Sequence, residues 1–265
     1  MDPVNPHPAS EASQPPWVPL RFSFFFLLRH PRLLGWGLIL VVLTGGFTWL
    51  GYLFSVHLID QFTGSYFSTP PVVEHLWHWP LFWGWTAMKW VFLVLSRVVA
   101  FYLAFLLAYC LTTPGYVFLS TSAGNHYTEK AGEGEAVFTL AGVLVDLQEG
   151  MKIGAIGLLA TVAALLANFI PVVGQVTVFV IYVFYSTLLL VDFPSSRYRW
   201  SLGQKLRWVQ QHGYQCFRLG LLPAVISMVP VFNVLLMALL LPLFTIHTTL
   251  NFLAIEGRKE MVSHP

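Results

Sequence analysis

Arg29, His30 and Arg32 crowd into four residues, RHPR, directly ahead of a long apolar run. Guanidinium groups beside the free backbone N–H groups of a helix start make a sound oxyanion site. The same cluster suits an anchor holding a helix end at lipid phosphates. Lys89 and Arg97 form a second basic pair, eight residues apart and on roughly one stripe of a helix. Arg97 falls near the middle of the apolar run 81–111, where a charge costs about 3 kcal/mol on insertion scales, so a partner or water pathway must compensate it. Two roles are open to this pair. It draws an anion inward, or Lys89 snorkels to the interface while Arg97 meets a carbonyl, Asp146, Glu149 or Asp192.

Amides stand at two further points. FIPVVGQ places Pro171, Gly174 and Gln175 inside one apolar run, and MVPVFN places Pro230 and Asn233 inside another. Proline removes a helical donor, and in lipid the freed backbone groups have no water partner. Gln175 and Asn233 can both donate and accept, so their first expected task is closing the backbone at these breaks. Asp192, in LLVDFP, is expected to cap the following helix or to pair with Arg197 or Arg199. His75 and His78 in EHLWHW share a helical face with Glu74 nearby, a weak zinc pattern without a further ligand of clear spacing, so no metal is expected. The sequence has no Gly-rich phosphate loop, no G-x-S-x-G elbow and no Cys-x-x-Cys pair, which leaves an enzyme the least supported class. No cofactor is expected.

The elements that position these residues belong to a membrane. Of the 265 residues, 56% are hydrophobic and only 10% charged, where a soluble domain carries about a quarter. The mean hydropathy is +0.68. The net charge of +2 is too small to point to nucleic acid. Cys110 and Cys216 lie in apolar or amphipathic surroundings and read as buried thiols. Residues 1–19 are rich in Pro and Ser and read as a disordered tail; 259–265 form a short polar tail, leaving 20–258 as one membrane domain.

Within that domain, 21–31 is a short interfacial segment between two arginines, 33–54 a first span, 55–80 a polar connector, and 81–111 a second span opened by a belt of tryptophans. Gly45 and Gly46 are expected to bend the first span or to permit close packing. Residues 112–153 read as a mixed segment ending in a helix on or beside the membrane. The two Pro-interrupted runs resemble each other about sixty positions apart, and the second has a further break at Pro242. Arms of about twelve to sixteen apolar residues span roughly 18–24 Å, short of a ~30 Å hydrocarbon core. The expected fold is therefore an all-α integral membrane protein: two long transmembrane helices plus two Pro-broken helical hairpins that penetrate the bilayer only partly. Charge agrees. If both hairpins return to the side they entered, one side holds Arg21, Arg29, Arg32, Lys130, Lys152, Arg197, Arg199, Lys205, Arg207, Arg218, Arg258 and Lys259 and the opposite side none of these, which the positive-inside rule reads as cytoplasmic termini.

FIPVVGQ, LLVDFP and MVPVFN, in that order, resemble the CysZ family of sulfate permeases, which includes the etoposide-induced 2.4 proteins. The likeness covers roughly 114–255. It implies two long helices, two partly penetrating helix pairs, an oligomeric assembly and sulfate uptake across a bacterial inner membrane. In that family a Gly-Leu-Arg-Arg stretch after a proline, opening the first long helix, is associated with the sulfate site. Here Pro31 is followed by Arg32, Leu33, Leu34 and Gly35, so a single arginine stands where the family has two. The expectation is an inner-membrane permease for a small oxyanion, sulfate first, in contact with lipid and assembled as a homo-oligomer. The alternative is a non-transporting membrane scaffold of the same family.

Overall fold

The computed structural model describes residues 17–64, 70–71, 79–128, 140–228 and 232–263, and these are helical almost throughout. Eight helices are seen among them: α1 (Leu20–Arg29), α2 (Pro31–Thr63), α3 (Trp79–Tyr127), α4 (Leu140–Ala167), α5 (Val173–Ser196), α6 (Leu202–Gln211), α7 (Gly213–Ser227) and α8 (Phe232–Ser263). Five segments, Pro31–Thr63, Trp79–Tyr127, Ala141–Ala167, Val173–Ser196 and Leu236–Gly257, are long and apolar enough to cross a membrane. The chain is an all-α integral membrane protein.

α2 and α3 are both longer than the apolar pattern implies. α2 continues nine residues past Phe54, and α3 runs for 49 residues, about 74 Å, straight through Pro114. In the turn before that proline Thr112 Oγ1 donates to the Ala108 carbonyl at 2.9 Å and Thr113 Oγ1 to that of Tyr109 at 3.0 Å, so the hydroxyls there are spent inside the helix. The expected break at Pro242 is likewise absent, because α8 continues through it. Its ring instead fills the space over Gly37, where an added Cβ would lie 3.1 Å away.

The two long helices pack antiparallel through small residues, as lipid-embedded helices do. A Cβ on Gly51 would sit 3.2 Å from the Ala104 Cβ, and one on Gly115 would overlap the Leu40 side chain. Gly45 and Gly46, the glycines expected to serve this purpose, face open space and leave the helix unbroken.

α4 and α5 form the first hairpin. α4 begins at Leu140, so the charged segment with Asp146, Glu149 and Lys152 is continuous with the apolar arm rather than a separate surface helix. α7 and α8 form the second pair, whose tip at 229–231 lies outside the described residues.

Burial concentrates at one end. Leu33, Leu40, Tyr116, Leu119, Leu190, Phe193 and Leu250 build one core, and Ile153, Val191, Trp208, Cys216 and Phe252 a second. At the other end Phe54, Leu95, Phe169 and Val172 are exposed, the surface expected of side chains facing lipid. Trp17 and Val18, assigned to the tail on composition, are packed against the helices. Asn251 clasps the Val18 backbone, accepting from its N–H at 3.0 Å and donating to its carbonyl at 3.1 Å. The Arg218 guanidinium stacks on Trp17 at 3.9 Å.

Candidate anion-binding site

The α1–α2 junction gathers the first basic cluster. α1 buries only Ser23 and Leu27 and exposes Phe22, Phe24, Phe25 and Leu28, an interfacial helix with Arg21 and Arg29 at its ends. His30 breaks the helix: its ring donates from Nδ1 to the Phe26 carbonyl at 2.7 Å and stacks on His126 of α3 at 5.1 Å. Pro31 then opens α2 with its fixed φ, placing Arg32 in the first turn, where backbone N–H groups have no earlier carbonyl to meet. Arg21, Arg29 and His30, with Phe22, Phe25 and Phe26, line an open cavity of about 470 Å³. Arg29 and Arg32 are exposed, and no ion pair holds either of them among the described residues.

Lys89 and Arg97 do not join this cluster. Arg97 donates through Nη2 to both carboxylate oxygens of Asp60, at 2.9 and 3.0 Å. None of the carboxylates considered for it, Asp146, Glu149 or Asp192, is its partner. The reason is the length of α2: its extra turns carry Asp60, expected in a connector, alongside α3. Asp60 lies 28 residues beyond Arg32 on α2, about 42 Å along the axis. The Lys89 ammonium sits 5.1 Å above the Trp85 ring, at the tryptophan belt.

At the first hairpin tip the backbone closes itself. The N–H groups of Asn168, Phe169, Ile170, Val173 and Gly174 all donate to backbone carbonyls within the turn, at 2.7–3.3 Å. Gln175, expected to perform this closure, is exposed and makes no hydrogen bond among the described residues. Gly174 is indispensable to the turn, since a Cβ there would overlap the Ala167 carbonyl oxygen. Val172 takes φ 64°, an unusual conformation for a β-branched residue and a strained hinge between Pro171 and α5. Pro230 lies outside the described residues, as do His75 and His78; Asn233 falls in the first turn of α8, its side chain also outside them.

The strongest electrostatic feature was not anticipated. Asp192 neither caps a helix nor meets Arg197 or Arg199, because α5 continues past it through Pro194 and turns its carboxylate inward. It accepts from Lys205 of α6 at 2.6 Å, and both side chains are fully buried. Lys205 also reaches Glu149 of α4 at 3.2 Å, and Glu149 in turn accepts from Lys152 at 2.6 Å. Two acids and two bases thereby tie the base of the first hairpin to α6. Charge spacing within α4 signals the Glu149–Lys152 contact, whereas Lys205 sits on the buried face of an amphipathic helix beside Trp208 and Val209, where a lysine is not expected; that helix opens with a Ser201–Gln204 capping box.

The family model described as sulfate transporter CysZ/etoposide-induced protein 2.4 matches residues 20–238. The chain belongs to that family. The match takes in α1, the α1–α2 junction, the first span, the first hairpin, α7 and the start of α8, so it reaches well ahead of the motifs at 114–255. No curated protein matches the chain. Membership in a sulfate-transporter family agrees with five apolar helices and with a non-enzymatic role.

Proposed function

We propose that the protein is a permease for a small oxyanion, sulfate being the leading substrate, in a bacterial inner membrane with both termini cytoplasmic. It works as a homo-oligomer in contact with lipid. One observation carries the reading: Arg21, Arg29 and His30 line a single cavity at the head of α2, and Arg32 occupies that helix's first turn. Bidentate guanidinium donors and a helix N-terminus together recognise a dianionic oxyanion. Arg32 takes the part that two arginines play in the family stretch. Arg97 does not belong to this capture step; about 42 Å away and neutralised by Asp60, it acts further along a path or serves the fold.

Radiolabelled sulfate uptake into proteoliposomes tests this. Wild-type uptake should exceed that of empty vesicles, and Arg29→Gln with Arg32→Gln should lower it several-fold at low sulfate and less at saturation, the pattern of lost capture. A scaffold is the second reading, favoured by the Arg97–Asp60 pair, in which a buried-segment cation is already satisfied by protein. Folded, reconstituted protein without uptake of sulfate, thiosulfate or selenate would overturn the permease and leave the scaffold.

A further inference from the structure

Between α3 and α5, near the end of α7, lies a second cavity of about 130 Å³. Among the described residues its wall contains no charged side chain, and six hydroxyl-bearing residues line it: Tyr102, Tyr109, Tyr182, Tyr185, Ser186 and Ser227. Three are engaged. Tyr102 shares a hydrogen bond with Thr161 of α4 at 2.9 Å, Tyr109 donates to the Leu189 carbonyl at 3.4 Å, and Ser227 donates to that of Pro223 at 2.8 Å. The hydroxyls of Tyr182, Tyr185 and Ser186 make no hydrogen bond among the described residues, although Ser186 is only 6% exposed. The Tyr185 phenol is admitted by Gly157, where any Cβ would overlap it.

None of these three oxygens is among the fully buried atoms without a partner, so each keeps open surface where it can donate to a ligand or to water. Here three converge on a space that is too large for one water, which needs about 10–15 Å³. A cation would find no carboxylate among the described residues of this wall. An anion would find O–H donors and no fixed positive charge, which strips part of its hydration without trapping it, the balance that conduction requires.

We infer that this hydroxyl-lined cavity is an anion waypoint within the membrane, where Tyr182, Tyr185 and Ser186 donate to a partly dehydrated oxyanion. The inference deepens the permease reading and rests on it for the ligand's identity. The conservative variant Tyr182→Phe/Tyr185→Phe/Ser186→Ala removes the donors and keeps the shape. Two measurements separate the two claims: sulfate-dependent rise of the melting temperature of purified protein, and sulfate flux in proteoliposomes.

In the Arg29→Gln/Arg32→Gln background, sulfate should still raise the melting temperature, and adding the triple variant should abolish that rise. In the otherwise native chain the triple variant should cut flux roughly tenfold or more, as loss of several donor contacts does. Single Tyr185→Phe is used if the triple variant fails to fold. Undiminished flux in a folded variant overturns the waypoint and leaves the permease standing. No sulfate- or selenate-dependent stabilisation in the Arg-depleted protein also overturns it and marks the cavity as water-filled. Stabilisation by these anions without flux keeps the site and removes the permease.

Discussion

Lys205 and Asp192 meet at 2.6 Å with no solvent exposure on either side chain, so removing one leaves a buried charge alone. Lys205→Met should destabilise the protein by roughly 3–5 kcal/mol, and Lys205→Met combined with Asp192→Leu should recover much of that loss, since it is the unpaired partner that is costly. Thermal or denaturant unfolding in detergent reads both; equal losses in the single and double variants would show that the pair matters for packing rather than charge. Glycines give a second contrast. Gly174→Ala must push a Cβ into the Ala167 carbonyl and should disrupt the hairpin tip, whereas Gly203→Ala in α6 meets nothing within 4 Å. The second change should stabilise by about 0.5–1 kcal/mol through helix propensity.

At the scale of elements, α2 and α3 are joined at one end by small-residue packing and at the other by Arg97 and Asp60. Both partners are substantially exposed, 30% and 52%, so in water the pair would contribute little. In lipid the unpaired charge is the larger effect. Asp60→Leu alone and Arg97→Leu alone should each lower the yield of folded protein, and the double variant should exceed both. If the double variant folds well but transports no sulfate while wild type does, Arg97 acts on the substrate path as well as on the fold. The tip of α4–α5 was legible in the sequence as a break, from Pro171 and Gly174. Its closure was not, because a turn whose N–H groups find carbonyls two to four residues back leaves Gln175 unused, and that depends on backbone geometry rather than residue type.

The molecule as a whole draws its basic segments together. His30 stacks on His126, Arg218 on Trp17, and Lys205 binds α4 and α5, so the starts of α2 and α7 and the ends of α3 and α5 lie at one end. This is the arrangement that the charge distribution required of two returning hairpins. With that end cytoplasmic, a membrane-impermeant maleimide should label Pro70→Cys and spare Gln210→Cys in sealed right-side-out vesicles; both positions are exposed. The native Cys110 and Cys216 are buried and should stay silent. Labelling of Gln210→Cys alone would reverse the orientation.

What the sequence by itself determined is set by composition and local chemistry. Apolar length made the chain an all-helical membrane protein, Pro171 and Gly174 marked the break of the first hairpin, and FIPVVGQ, LLVDFP and MVPVFN marked the family that residues 20–238 match. The tertiary structure alone decided the partners. Asp60 reached Arg97 only because α2 outlasts its apolar stretch, Lys205 met Asp192 across thirteen residues and two helices, and four tyrosines from α3 and α5 converged on one cavity. A polar side chain inside a bilayer must find a partner, and its type states that need. Which partner it finds depends on helix lengths, register and crossing, properties of the packed bundle that no local pattern carries.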